Sequence, residues 1–190
     1  MRELVPRWVY RFRGVLISLP TVFALLCFFR ETEDDRLIWP LGVSIFVLGL
    51  LLRVWAQQHI RRRLKAPKHL VTTGPYSLVR NPLYIGNILM CLGVTVVSEL
   101  LWLVPATVLW CVVLYSIVVR HEEERLLRRY GEPYRRYALE VPRWFPLSWH
   151  FRNMGLINKY FRASMVSEVY CLLWLLPYVF KEIISQWFEH

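Results

Sequence analysis

Several common chemistries leave no trace in this chain. None of its four cysteines (Cys27, Cys91, Cys111 and Cys171) belongs to a Cys-x-x-Cys pair or lies near a His cluster, and all four fall within apolar segments. They read as small core residues rather than disulfides, metal ligands or nucleophiles, so no zinc site is expected. No Gly-rich phosphate loop occurs. Neither an internal repeat nor a low-complexity linker divides the chain, so residues 1–190 are expected to form one domain. No small-residue cleavage site follows the first apolar stretch, Gly14–Phe29, which excludes a removable signal peptide from the expected reading.

What the chain has instead is apolar length. It is 56% hydrophobic and 15% aromatic, with nine Trp. A helix needs roughly 20 apolar residues to cross ~30 Å of hydrocarbon. Gly14–Phe29, Leu37–Gln57, Leu100–Val119 and Met165–Phe188 approach or meet that length. A fifth stretch, Leu83–Ser98, is short enough to cross only part of the bilayer or to pair tightly with its neighbour. The expected fold class is therefore all-α, a polytopic membrane protein of about five transmembrane helices that include a tight helical hairpin.

The net charge of +10 is not spread as a nucleic-acid surface would be. Four basic residues precede Gly14, six lie in 59–82 and ten in 120–165, leaving only Arg30, Arg36, Arg53 and Lys181 elsewhere. The first opposite loop, Arg30–Arg36, is net acidic. Because basic loops stay cytoplasmic, the N-terminus is expected inside and the C-terminus outside, in an inner or plasma membrane. Anionic lipid heads suffice as partners for this charge, and no nucleic acid is expected.

Local patterns refine this picture. Trp8, Tyr10 and Phe12 among arginines suit the membrane interface. Gly42 and Gly49 share a helix face, as do Gly86 and Gly93, where neighbouring helices could approach closely. Arg53 is expected to snorkel towards the cytoplasm; the alternative is an inward role in a polar cavity. Gly74-Pro75 signals a turn. Asn81 and Pro82 suit the N-cap and first turn of a helix. The span after Leu100 runs without a breaker to Tyr130, with Gly131 as its C-cap. Glu124 and Arg128 have i,i+4 spacing, and Tyr76, Tyr84, Tyr130, Tyr134 and Tyr137 could form an interfacial belt.

Two polar strings flank the hairpin. Gly74-Pro-Tyr-x-x-Val-Arg-Asn-Pro-x-Tyr-x-Gly86 precedes it. Glu122-Glu-x-x-Leu-x-x-x-Tyr-Gly131, Tyr134-x-x-Tyr137 and Pro142-Arg-Trp-x-Pro146 follow it. Together, over about residues 45–146, they resemble the isoprenylcysteine carboxyl methyltransferase family, within a wider group that includes phospholipid methyltransferases. The resemblance, to a bacterial-type member, leaves 147–190 as a C-terminal extension without motifs. It implies a helical membrane enzyme that binds S-adenosylmethionine through a cytosolic helix and loop and admits a lipophilic or lipid-modified acceptor from the bilayer.

Carried over by position, the cofactor-binding candidates are Tyr76, Arg80, Asn81, Pro82, Tyr84, Gly86, Glu122 and Glu123, with His121 beside them. Arg80, Glu123 and Arg143 are the catalytic candidates, Arg143 as orienter of the acceptor. A helix N-terminus at Asn81-Pro82 and Arg80 could meet the cofactor's carboxylate. The acids could hold its amino group or ribose, and tyrosine faces could meet its sulfonium. Many relatives carry His where this chain has Asn81, and Asn cannot shuttle a proton. No other base stands out besides His121 and the paired acids, which favours an O- or S-acceptor. A sterol-reductase-like NADPH-dependent oxidoreductase and a non-catalytic membrane scaffold are the alternatives.

Overall fold

The computed structural model describes residues 7–27, 35–65, 69–146 and 155–188, and every regular element among them is helical. The acidic loop residues 30–34, Arg2, Lys68 and residues 147–154 lie outside the described residues. The chain runs through a short α1 (Arg7–Arg11), α2 (Arg13–Leu26), a long α3 (Asp35–Lys65), α4 (Pro82–Val97), α5 (Val104–Tyr130), α6 (Glu132–Glu140), α7 (Phe161–Val169) and α8 (Leu176–Phe188). Single 3-10 turns precede α4 at Gly74–Ser77, open α5 at Leu101–Leu103, and join α7 to α8 at Tyr170–Trp174.

Three stretches are long and apolar enough to cross a membrane: Arg36–Arg61, Leu101–Tyr130 and Phe161–Lys181. Arg13–Leu26 and Pro82–Val97 are shorter apolar helices. Leu41, Leu48 and Leu51 on α3, with Leu109, Val112 and Val113 on α5, stay exposed, a surplus of apolar surface that lipid accounts for. This is a polytopic helical membrane protein, as its apolar blocks predicted.

The central contact is the antiparallel pair α3–α4. Its seam is glycine: a Cβ on Gly42 would come within 2.8 Å of the Gly93 carbonyl, and one on Gly49 within 2.7 Å of the Gly86 carbonyl. Two pairs seven residues apart lock one register, so van der Waals contact between backbones replaces the hydrophobic drive that lipid removes. α4 has 16 residues, about 24 Å of helix at 1.5 Å per residue, short of a full hydrocarbon crossing. Its far end turns through Glu99, a non-glycine residue at φ 63°, whose buried carboxylate accepts from Trp39 Nε1 at 2.9 Å. Phe46, Val94, Val97, Leu100 and Tyr178 fill the core at this end.

Two expectations need correction. The last apolar stretch is not one helix from Met165 but breaks through the 3-10 turn Tyr170–Trp174. Pro177, in the first turn of α8, has no N–H for a preceding turn, so the helix restarts there. Arg53 does not snorkel: its Nε donates to Glu168 Oε2 of α7 at 2.8 Å and its Nη1 to Asn87 Oδ1 of α4. An inward ion pair exists for it, which leaves no reason to reach for the interface. The C-terminal segment is otherwise held on α3 by polar contacts. Gln58 Nε2 donates to the Leu156 carbonyl at 2.7 Å, and His59 Nε2 lies 2.9 Å from that of Gly155.

Candidate functional site

The two polar strings meet at the basic end of the bundle. Gly74 opens the first at φ 65°, where a Cβ would strike the His59 ring at 2.3 Å; only glycine fits both the backbone and the space. The 3-10 turn then buries Tyr76, whose carbonyl accepts from the Tyr137 hydroxyl at 2.8 Å. Arg80 N–H donates to the Pro142 carbonyl at 2.9 Å. Asn81 stands at the N-cap of α4 but makes no side-chain cap; its amide instead donates to the Arg143 carbonyl at 3.2 Å. One backbone bond and one side-chain bond thus clip Pro142-Arg143 of the second string onto Arg80-Asn81 of the first.

Charge joins them as well. Arg80 Nη1 lies 3.2 Å from Glu123 Oε1, and Arg143 donates to the same carboxylate through Nε at 3.1 Å and Nη2 at 2.5 Å. This fork on Glu123 raises the Arg143 guanidinium above its ordinary pKa. Glu122 is engaged differently: the Tyr84 hydroxyl donates to its Oε2 at 2.6 Å. Both acids come from the last turns of α5, which runs unbroken past the apolar stretch to its C-cap at Gly131, φ 59°. α6 then folds back, amphipathic, and buries Tyr134 and Tyr137. Burial, and next to it the Glu123 carboxylate, pushes the Tyr134 phenol up to about 12. Burial also raises Tyr137. Neither is a base near neutral pH.

These elements enclose a cavity of about 270 Å³. Of the candidates, Tyr76, Arg80, Asn81, Tyr84, Glu122 and Glu123 line it. Arg143 stands behind Glu123. Pro82 and Gly86 do not line the cavity: Pro82 is buried at the first turn of α4, and Gly86 faces Gly49 and the Arg53 stem on α3. His121 lies against Tyr10, ring centres 5.1 Å apart, off the cavity wall.

The wall also holds Arg13, Arg53, Asn87, Tyr134 and Tyr137, which the motif comparison did not assign to the site. Tyr134 and Tyr137 are cavity wall rather than interfacial belt. Asn87 was findable, three residues beyond Tyr84 and so on the same helix face. Arg13 carried no signal beyond its charge.

The wall's donors and acceptors suit a zwitterionic cofactor with a cationic centre. Arg80 Nε is buried with no hydrogen-bond partner in the described structure, a donor awaiting an acceptor such as a carboxylate. Glu122 offers negative charge, and four tyrosines line the same space. Among the described residues no group of His, Cys, Asp or Glu could hold a metal ion.

With this geometry in hand, comparison with known proteins places the chain. The family model of phospholipid methyltransferases matches residues 38–133, from α3 to the start of α6. The chain belongs to that family of membrane methyltransferases. It is 34% identical over 129 residues to the cobalt-zinc-cadmium resistance protein CzcN of Cupriavidus metallidurans, covering 66% of this chain and 58% of that one. It is 34% identical over 113 residues to the nickel-cobalt-cadmium resistance protein NccN of Alcaligenes xylosoxydans xylosoxydans, covering 60% and 50%. The chain thus spans little more than half the length of these two relatives. It is 28% identical over 143 residues to protein-S-isoprenylcysteine O-methyltransferase B of Arabidopsis thaliana, covering 70% and 72%. No solved structure matches the chain.

Proposed function

We propose that this chain transfers a methyl group from S-adenosylmethionine to a lipophilic acceptor at the cytoplasmic face of the membrane, with residues 1–190 acting as one domain. One observation carries the reading: Arg80 and Tyr84 share a single cavity with Glu122 and Glu123, although the apolar hairpin separates them in sequence.

Bound in that cavity, S-adenosylmethionine supplies an electrophilic methyl on a sulfonium. The Nε donor of Arg80, unpaired and buried, binds its carboxylate. Glu122, with one oxygen fixed by Tyr84, takes its amino or ribose donors. The faces of Tyr76 and Tyr84 favour the cation. Glu123 is committed to Arg80 and Arg143, so it sets the position of both arginines rather than reaching the ligand itself, and Arg143, behind it, acts on the site through Glu123. Methyl transfer is an in-line displacement, and its rate comes mainly from holding donor and acceptor in contact. With Asn81 and two neutral tyrosines in the wall, no neutral base serves an ammonium acceptor, which favours a carboxylate or thiolate.

The test is labelling of membranes with methyl-labelled S-adenosylmethionine. Native protein is expected to label a lipid-soluble product, and Glu123→Gln, expressed to the same level, is expected to lose that signal. Equal labelling by the two proteins overturns the assignment. Orientation is tested separately. A reporter fused after residue 190 is expected to read outside the cytoplasm, and a cytoplasmic reading overturns the five-crossing arrangement.

A further inference from the structure

Two hollows meet at one buried ion pair. Besides the polar cavity, a largely apolar hollow of about 260 Å³ lies deeper in the bundle, walled by Gly14 and Ile17 of α2, Met90 of α4, and Cys171 and Trp174 of the C-terminal segment. The two share Arg53 and Asn87, which form the neck between them. Arg53 Nε donates to Glu168 at 2.8 Å and Nη1 donates to Asn87 Oδ1. Asn87 Nδ2 in turn donates to the Tyr115 hydroxyl at 2.8 Å. Glu168 sits on α7, beyond the region that the family model matches.

Three features make this more than a packing contact. The pair joins two apolar spans, Arg53 lying in Arg36–Arg61 and Glu168 in Phe161–Lys181, stretches where charge is costly and tends to mark function. Its members are not equally accessible: the Arg53 side chain is 21% exposed and that of Glu168 5%, so the neck presents a guanidinium with a carboxylate behind it. A guanidinium carries five N–H donors, and Glu168 and Asn87 take one each, leaving donors over for a ligand. The arginine's course is also built in. A Cβ on Gly86 would come within 2.6 Å of Arg53 Cγ, so glycine lets the stem cross α4 to reach the neck.

We propose that Arg53 recognises the anionic head of an amphiphilic acceptor whose chain lies in the apolar hollow, and that Glu168 is the positioning residue that aims Arg53 and tempers its pull on that head. This rests on the methyl-acceptor reading of the polar cavity. Through Glu168 the C-terminal segment, rather than the motif-bearing core, sets head-group selectivity. The carboxylate behind the guanidinium fixes its plane and cancels its net charge. An acceptor anion therefore binds through directed N–H bonds and not through bulk positive charge.

The test needs no methyl donor. Protein in uncharged-lipid nanodiscs is titrated with dibromostearate and with dibromostearyl alcohol, and bromine quenching of Trp174 fluorescence is read. Trp174→Phe isolates the signal that arises in the hollow. Native protein is expected to bind the carboxylate about tenfold more tightly than the alcohol, the scale of one charge-assisted bond. Glu168→Gln is expected to strengthen carboxylate binding severalfold without moving the alcohol. Arg53→Gln with Glu168→Gln, which leaves no unpaired buried charge, is expected to abolish the preference while the alcohol still binds. Equal binding of the two probes by native protein, or a preference that survives the double variant, overturns the proposal. Loss of methyl transfer in the labelling assay, with head-group preference intact here, would count against the enzymatic reading and leave the Arg53 assignment standing.

Discussion

Glu123, part-buried, and Glu168, buried, are two acids that each hold arginine, and they do so in different ways. Glu123 lies at the basic end of the bundle, where one carboxylate clamps Arg80 and Arg143 and so ties both polar strings together. Glu168 lies within the bundle, 115 residues from Arg53 along the chain, and ties the C-terminal segment to α3. The first pairing holds the polar cavity between the two motif strings. The second stands between that cavity and the apolar hollow. In the proposed function, the difference separates what would hold the methyl donor from what would decide the acceptor.

The firmest way to break this comparison is to remove the scaffold common to both acids. Gly93→Leu would drive a side chain into the Phe46 N–H and the Gly42 carbonyl, 2.6 and 2.7 Å from the added Cβ. Overpacking costs about 1–3 kcal/mol where neighbours can yield, and backbone on both sides cannot, so the variant is expected to lose its monodisperse peak in size-exclusion chromatography. Next in size is Glu123→Gln, which leaves Arg80 and Arg143 without their counter-charge. Breaking such a pair costs about 3–5 kcal/mol when fully buried; this one is partly exposed, and isothermal titration is expected to show S-adenosylmethionine affinity down by about a hundredfold, roughly 3 kcal/mol. Glu168→Gln sharpens the contrast: the same titration is expected to stay within about twofold of native, because Glu168 does not line the polar cavity and bears on it through Arg53. Smallest is Glu124→Gln. Its pairing with Arg128 at 3.4 Å is exposed and worth at most about 0.5 kcal/mol, so the melting temperature in detergent is expected not to move measurably.

Much of the fold was legible because lipid imposes a simple grammar. Apolar length located the spans, and glycines seven apart on the Gly42 and Gly86 faces marked where helices could approach closely, though not that these two faces would meet. The site was legible as two motif strings. Which of their members face inward was not, since Pro82 and Gly86 carry motif identity but serve the start of α4 and its seam with α3. Arg53 shows the opposite failure. A charge one turn from the end of a span reads as a snorkelling side chain until its partner is known, and that partner lies on another helix far along the chain.

The sequence by itself determined the membrane class, the hairpin, the basic face and the residue types of the polar strings, because each follows from local composition and period. Only tertiary structure decided that Glu123 would bridge Arg80 and Arg143, that Tyr134 and Tyr137 would wall a cavity, and that Glu168 would meet Arg53. Those pairings depend on which helix faces which and in what register. That information resides in packing between segments distant in sequence, where no single stretch of chain encodes it.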